Sequence, residues 1–404
     1  MHIESVSCID DLRRAALARI PRFAYTFLAG GAGNDAGVRR NEEALARVLF
    51  APRGMATGKV DTSASLFGRR YAQPFGFSPV GMANLAWAGC DLMLAETAQR
   101  ESLPYVISTA ASTELETLAA RAPDSCWFQL YMLRDDELNF ALLDRVAAAG
   151  IEVLVVTVDT PVRSRRNGSI RERFEQPFQP HPRFVLDVAR HPRWALRTAR
   201  AGMPNLMNYS RYVEGGDIHK IAAFMKAQSR GGVSWDDIAM LRRKWKGPLV
   251  VKGILDAGDA ARAAREGADA VWVSNHGGRQ LESAPATISV LPAVRQAVGE
   301  LPVLFDSGVR GGEDIVKAGA LGATMAFCGR APIFGAAAFG AAGVAKAHAV
   351  LADEVRTTLA QIGCRRFGDL SPAFIHGGEA GQGEKFVPVK AQATKAPTSW
   401  ALPA

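Results

Sequence analysis

The sequence predicts an α/β protein: a closed (β/α)8 barrel preceded by helices, with one long insert after its fourth strand. Three observations predict it. Eight short runs are apolar on both faces, as the strands of a buried parallel sheet are. Alanine-rich helical segments separate most of them. One interval between runs far exceeds the length of an ordinary βα connection. The runs span 75–82, 105–110, 126–132, 153–159, 249–254, 270–275, 302–308 and 324–330. Eight such units favour closure into a barrel. An open doubly wound sheet is the alternative.

In chain order, residues 1–50 read as helical. Asp10-Asp11 open a helix that runs through Arg19. Pro21 begins a second, which carries Tyr25 and Phe27 and stops at Gly30-Gly31. Residues 51–74 suit short strands and turns over the bottom or side of the barrel. Helices are expected over Leu92–Glu101, Asp136–Ala149, Ala257–Glu266, Gly312–Ala318 and 331–365. Residues 1–370 form one domain in this reading, and 371–404 a tail rich in Gly, Pro and polar residues.

The fourth interval, from residue 153 to 249, holds an insert over roughly 165–235. Its middle, 177–211, carries Arg183, Arg190, Arg193, Arg197, Arg200 and Arg211 against one acid, Asp187. Phe184, Val185, Leu186, Val188, Trp194, Ala195 and Leu196 are interleaved with them. Arginines on one side and Trp, Phe and Leu on the other suit a helix lying in an anionic membrane surface. A lid or a contact between subunits is the alternative.

Composition narrows the function classes. The 404 residues carry a formal charge of +8, which suits nucleic acid, anionic lipid or an anionic substrate. No recognised nucleic-acid module surrounds the basic patch, so no nucleic-acid partner is expected. Acids near the N-terminus and the lack of an apolar stretch there argue against a signal peptide. No run is long enough for a transmembrane helix. The five cysteines form no C-x-x-C pair, so neither a disulfide framework nor a metal site is expected.

Active sites of such barrels lie at the C-terminal strand ends. Strand one ends with Pro79-Val80-Gly81, strand two with Ser108, and strand three carries Gln129 and Tyr131. Strand four gives Thr157 and Asp159, with Arg166 beyond it, and strand five gives Lys252. Strand six gives Ser274, His276 and Arg279, strand seven Asp306, Gly308 and Arg310, and strand eight Gly329-Arg330. The last two groups make a phosphate site, with glycine backbone, a helix N-terminus and two arginines. The rest of a flat cofactor would then lie across the mouth, within reach of Pro79, Ser108, Gln129 and Thr157. Lys252 there would stabilise an anionic reduced flavin, or pair with Asp159 or Asp306. His276, Arg279, Arg166, Tyr25 and Tyr131 remain for a substrate. Arginines and tyrosines suit a carboxylate, and Asp159 could orient His276 as a base. A base beside a carboxylate, over a redox heterocycle, points to oxidation of a 2-hydroxy acid.

The run Ser274-Asn275-His276-Gly277-Gly278-Arg279-Gln280 resembles the signature of the FMN-dependent L-2-hydroxy-acid oxidising family. Pro21–Tyr25, Thr157–Arg166, Val251–Gly253 and Asp306–Gly312 follow that family's order, and the similarity spans roughly 3–370. The resemblance implies FMN held by Pro79, Val80, Gly81, Ser108, Gln129, Thr157, Lys252, Ser274, Asp306, Gly308, Arg310, Gly329 and Arg330. It implies His276 as catalytic base, Asp159 as its partner, and Tyr25, Tyr131, Arg166 and Arg279 on the substrate. Gly81 and the basic insert resemble the membrane-associated (S)-mandelate and L-lactate dehydrogenase branch. Ala110, small where other members are bulky, suits an aromatic or branched substrate. That branch implies a peripheral homotetramer on the cytoplasmic face of the inner membrane, passing electrons to quinone or the respiratory chain. A soluble oxidase that makes hydrogen peroxide is the alternative within the same chemistry. A barrel that binds anions or membrane without catalysis is the alternative outside it.

Overall fold

Eight parallel strands close on themselves in the computed structural model of the chain, which describes residues 1–54, 58–174, 181–213, 215 and 218–377. They are β1 (Phe75–Phe77), β2 (Tyr105–Ser108), β3 (Cys126–Leu130), β4 (Leu154–Thr157), β5 (Leu249–Ile254), β6 (Ala270–Val273), β7 (Val303–Phe305) and β8 (Met325–Cys328). Each pairs with the next, and β8 returns to β1 in the register Ala326–Phe75. The fold is therefore a (β/α)8 barrel and not an open sheet. The strands are buried because one face fills the barrel and the other meets the helices. All but β5 are shorter than their apolar runs. The surplus residues, such as Pro79 and Asp159, turn out at the mouth as loops, and His276 follows β6 in the same way.

The barrel floor is packed with Val106, Trp127, Val155, Val250, Trp272, Leu304, Met325 and Phe327. Trp272 and Phe327 have ring centres 4.2 Å apart. The antiparallel ribbon Ala64–Leu66/Arg69–Tyr71 covers this end with Leu66 and Tyr71. The Trp127 indole donates to the Tyr71 hydroxyl at 3.2 Å, which satisfies a buried donor. The floor is thus filled by side chains, while the C-terminal strand ends open on a cavity.

Three helices precede the barrel: Ile9–Arg19, Arg22–Ala29 and Ala36–Arg47. Asp11 caps the first by accepting from the Ser7 and Cys8 N–H groups at 2.9 and 3.3 Å. The Ser7 N–H, followed by Arg14, holds its carboxyl well below the usual range. The single helix expected over 331–365 is two, Arg330–Phe339 and Ala341–Gln361. Gly340, at φ +64°, turns the chain between them. The two helices touch at Gly335 and Gly343, where a Cβ on Gly335 would lie 2.2 Å from the Gly343 carbonyl oxygen. Residues 371–377 are packed, not a free tail. Phe374 is buried, and its carbonyl accepts the Ala51 N–H at 2.8 Å. The remainder of the expected tail, 378–404, lies outside the described residues.

The insert corrects the expectation of one surface helix. Pro192 divides its centre into Pro182–Arg190 and Pro192–Ala201. Trp194 and Phe184 face the protein, not outward. Trp194 is 3% exposed and donates to the Leu85 carbonyl at 3.0 Å, and Phe184 stacks on Phe23 with ring centres 4.7 Å apart. The large apolar residues that do face outward are Val185, Leu186, Leu196 and Met203, each more than half exposed. Residues 177–180 of the expected segment lie outside the described residues. No helix among the described residues is long and apolar enough to cross a membrane.

Candidate active site

A cavity of about 330 Å³ opens at the C-terminal ends of the strands. Three non-glycine residues on its wall, Met82, His276 and Ser307, have left-handed backbone, with φ of +55°, +59° and +82°. Each such residue costs about 1–3 kcal/mol, so the surroundings must enforce the conformation. For His276 they are visible. The Ser274 hydroxyl accepts the His276 N–H at 3.0 Å, and the Ser307 hydroxyl accepts the Gly277 N–H at 2.9 Å. Asn275 and Asn41 exchange amide hydrogen bonds of 2.7 and 2.8 Å behind the loop.

The imidazole is held at both ends. Nδ1 lies 3.0 Å from Asp159 Oδ1, and Nε2 lies 3.2 Å from the Tyr131 hydroxyl. Asp159 does not line the cavity but stands behind the ring. Burial alone would raise its pKa; His276, then Lys252, overcome this and hold the carboxyl below its usual value. It therefore stays ionised and accepts from Nδ1–H, which leaves the Nε2 lone pair facing the cavity. Burial, then Asp159, raise the Tyr131 phenol above its ordinary value, so it stays a donor. A bulge in β5 makes room for this pair. Gly253, at φ +109°, breaks the register between Lys252 and Ile254, and a Cβ there would lie 2.7 Å from the Asp159 Cβ.

Arg166, Arg279 and Arg330 converge on the same cavity. Arg279 donates to the carbonyls of Phe27 and Gly30, each at 2.8 Å. Arg330 donates to those of Leu28, Gly277 and Gly30 at 3.1, 2.9 and 2.9 Å. Burial lowers all three guanidinium pKa values, Arg279 most strongly, with Arg166 and Arg330 adding repulsion there. Arg330 is pushed down to about 9. Carbonyls orient Arg279 and Arg330, and the Ser164 hydroxyl accepts from Arg166 Nε at 3.1 Å; none of these groups neutralises a cation. The cavity is thus organised for anions.

Pro79, Val80, Gly81, Thr157, Lys252, Asp306, Gly308, Arg310, Gly329 and Arg330 all line the cavity. Ser108, Gln129 and Ser274 do not line it. Strand register places Ser108 beside Gln129 and Thr157 beside Lys252. The Ser108 hydroxyl donates to Gln129 Oε1 at 3.1 Å, and Ser274 Oγ accepts from Lys252 Nζ at 2.6 Å. Lys252 also pairs with Asp306 at 2.8 Å, one of the two pairings weighed from the sequence. The helix N-terminus after β7 departs from expectation. Its N–H groups at Arg310 and Gly311 are taken by Asp314, and that of Gly312 by Glu354. The groups at this end left for an anion are the Ser307–Val309 turn, Gly329, Arg330 and Arg310, which also pairs with Glu42 at 2.8 Å. A flat, polar, phosphate-bearing cofactor fits this mouth. Gln129 Nε2 and Ser78 Oγ are buried without a protein partner, as donors reserved for a ligand would be.

Tyr25 stands apart from the other candidate residues. It does not line the cavity; its ring stacks on Phe334 at 6.2 Å instead. Phe27 lines the cavity in its place. Positions two apart on a helix point to opposite sides, so only one of the pair can face the mouth. Sequence reasoning gave no separate role to Ser307 or Gly253, and passed over Asn41 and Leu206. Leu206 comes from the insert and lines the cavity with Ala110. The Asn208 side chain docks that part of the insert, accepting the Leu115 N–H at 2.9 Å and donating to the Ser108 carbonyl at 3.2 Å.

The chain is similar to known proteins over most of its length. The profile of the FMN-dependent dehydrogenase family matches residues 16–377. The chain is 37% identical to the (S)-mandelate dehydrogenase of Pseudomonas putida over 368 residues, 91% of this chain and 93% of that protein. It is 37% identical to the L-lactate dehydrogenase of Alcaligenes faecalis over 358 residues, 88% and 94% of the two chains. A crystal structure of (S)-mandelate dehydrogenase, described as a monotopic membrane protein, superposes with a TM-score of 0.89 at 36% identity. That superposition covers 92% of this chain and 99% of the other. From the sequence match and a mouth built for a flat anionic cofactor, the chain belongs to the FMN-dependent dehydrogenase family and is an oxidoreductase that uses FMN.

Proposed function

We propose that this enzyme oxidises an (S)-2-hydroxy acid, with (S)-mandelate or a similar aromatic acid as substrate, to the 2-oxo acid. The observation that carries the proposal is one constellation. His276 has Asp159 on one ring nitrogen and Tyr131 on the other, in a cavity shared with two uncompensated arginines.

FMN, when bound, supplies the two-electron acceptor for the hydrogen leaving the substrate α-carbon. The remaining work falls to this chain. Arg166 and Arg279 hold the carboxylate, which also relieves their mutual repulsion. Tyr131 donates to the substrate hydroxyl region and keeps the acid in one orientation. His276 Nε2 takes the hydroxyl proton, and Asp159 stabilises the imidazolium through Nδ1. Lys252 places a positive charge at the mouth, where negative charge accumulates on reduction. Pro79 through Gly81 and Thr157 would lie against the flavin ring, with Ser108, Gln129 and Ser274 supporting it. Gly308, Arg310, Gly329 and Arg330 would hold its phosphate. Phe27, Ala110 and Leu206 form an apolar wall suited to an aromatic side chain.

Electrons then pass to a quinone of the respiratory chain, with the enzyme held peripherally at the membrane. Supporting this are the outward Val185, Leu186, Leu196 and Met203, set among Arg183, Arg190, Arg193 and Arg200. The test is anaerobic bleaching of the flavin by glycolate, L-lactate and (S)-mandelate, followed by air. Fastest bleaching by (S)-mandelate and slow recolouring are expected. Bleaching by none of the three would overturn the reaction, faster bleaching by L-lactate the substrate, and rapid recolouring the acceptor.

A further inference from the structure

A second cavity, of about 250 Å³, adjoins the first. Tyr131, Thr157, Arg166 and His276 line both, so the catalytic wall has a chamber on each side. The second chamber runs between the loop after β4, Val158–Arg166, and the segment Met225–Val233 that closes the insert. Val162 and Arg163 are exposed at its rim.

Its charge is one-sided. Arg163, Arg166, Arg230 and His276 contribute to the lining, and no aspartate or glutamate does. Arg230 is neutralised from outside by Asp136 and Asp237. Arg163 makes no ion pair among the described residues. It lies close enough to Arg166 to lower that residue's pKa further, after burial. Hydrogen-bonding groups are present as well: Thr160, Ser164 and Gln280, whose Oε1 is buried without a partner. A partly enclosed chamber with a guanidinium unpaired among the described residues, hydroxyls and no carboxylate favours a small monocarboxylate.

We propose that this chamber is an antechamber for carboxylates. A 2-hydroxy acid would be drawn in by Arg163 before passing to Arg166 and Arg279, and the 2-oxo acid would leave the same way. The inference rests on the reaction proposed above. It adds a binding site and a residue, Arg163, that takes no part in the chemistry.

The test is rapid anaerobic flavin bleaching of the FMN-bound enzyme by (S)-mandelate. The slope at low substrate reports approach, and the limiting rate at saturation reports chemistry. Arg163→Ala is expected to lower the slope at least about fivefold and to flatten its dependence on salt. Arg163→Glu should lower it a further several-fold, and Arg163→Lys should keep most of it. The limiting rate should stay within about twofold in all three, since only approach is altered. Arg163 is exposed and unpaired, so none of these changes removes a structural contact. An unchanged slope in Arg163→Ala and Arg163→Glu overturns the antechamber. So does a collapse of the limiting rate, which would place Arg163 in the chemistry. A parent that no 2-hydroxy acid bleaches overturns the reaction and the antechamber together. A bleached parent with indifferent variants overturns the antechamber alone.

Discussion

The Arg279 guanidinium donates to the Phe27 carbonyl at 2.8 Å and lies 5.3 Å from the centre of the Phe27 ring. One residue of the second helix thus both anchors Arg279, the proposed clamp for the carboxylate, and forms part of the cavity wall. Tyr25, on the opposite side of that helix, does neither. Tyr25→Phe is expected to leave kcat/KM within about twofold, because its hydroxyl is hydrogen-bonded to Arg13 and losing such a bond costs only about 0.5–1.5 kcal/mol of stability. Phe27→Ala should raise KM at least tenfold by unpacking the clamp. Steady-state kinetics with (S)-mandelate checks both, and a large effect of Tyr25→Phe on kcat would restore it to the site.

His276→Ala should lower turnover by about 10²–10⁴, the usual worth of a general base, with flavin absorbance retained. Gly253→Ala should act on the same step from a distance. Its Cβ has no space beside Asp159, and its φ of +109° is strained for any other residue. The expected outcome is a fall in kcat with FMN still bound. Turnover at the parent rate in Gly253→Ala would show that Asp159 does not need its present position.

The outward apolar residues of the insert predict membrane binding without touching the barrel. Replacing Val185, Leu186, Leu196 and Met203 together by serine should reduce co-sedimentation with anionic vesicles at least tenfold. Each buried apolar side chain is worth about 1.5–3 kcal/mol, so four of them decide the partition. Oxidation of substrate with a soluble dye should persist. Equal sedimentation of parent and variant would leave the insert without a membrane role.

Asp91 predicts a pH dependence of stability. It is fully buried, and its carboxylate accepts the Ser112 N–H at 2.9 Å. Burial pushes its pKa up from 3.8 to about 7. Between those values the native state keeps a proton that the unfolded chain has released. Stability contributed by Asp91 is therefore present at low pH, falls through this window, and is gone above about 7. The slope is up to about 1.4 kcal/mol per pH unit. Thermal melts across that range should show a shallower decline for Asp91→Asn than for the parent. Parallel curves would sink the assignment.

Much of this protein was legible in the chain itself. Runs apolar on both faces and alternating with helices point to a parallel sheet, because helices then cover both sides; their number favours the barrel, and the one long interval places the insert. Knowing the fold, the strand-end rule collects His276, Asp159, Arg166, Arg279 and Lys252 at one mouth, since a closed barrel has only one set of C-terminal ends. Tertiary structure decided what local pattern cannot carry. Which face of a short helix meets the cavity depends on its neighbours, and here that face brings Phe27 to the wall. Which aromatic residues of the insert turn inward depends on the surface beneath it, and Trp194 found the Leu85 carbonyl there. The N–H groups after β7 went to Asp314 and Glu354, a competition invisible until the chain is folded. The antechamber behind His276 exists only because residues about seventy positions apart close over it. Composition and order set the topology, and packing chose the partners.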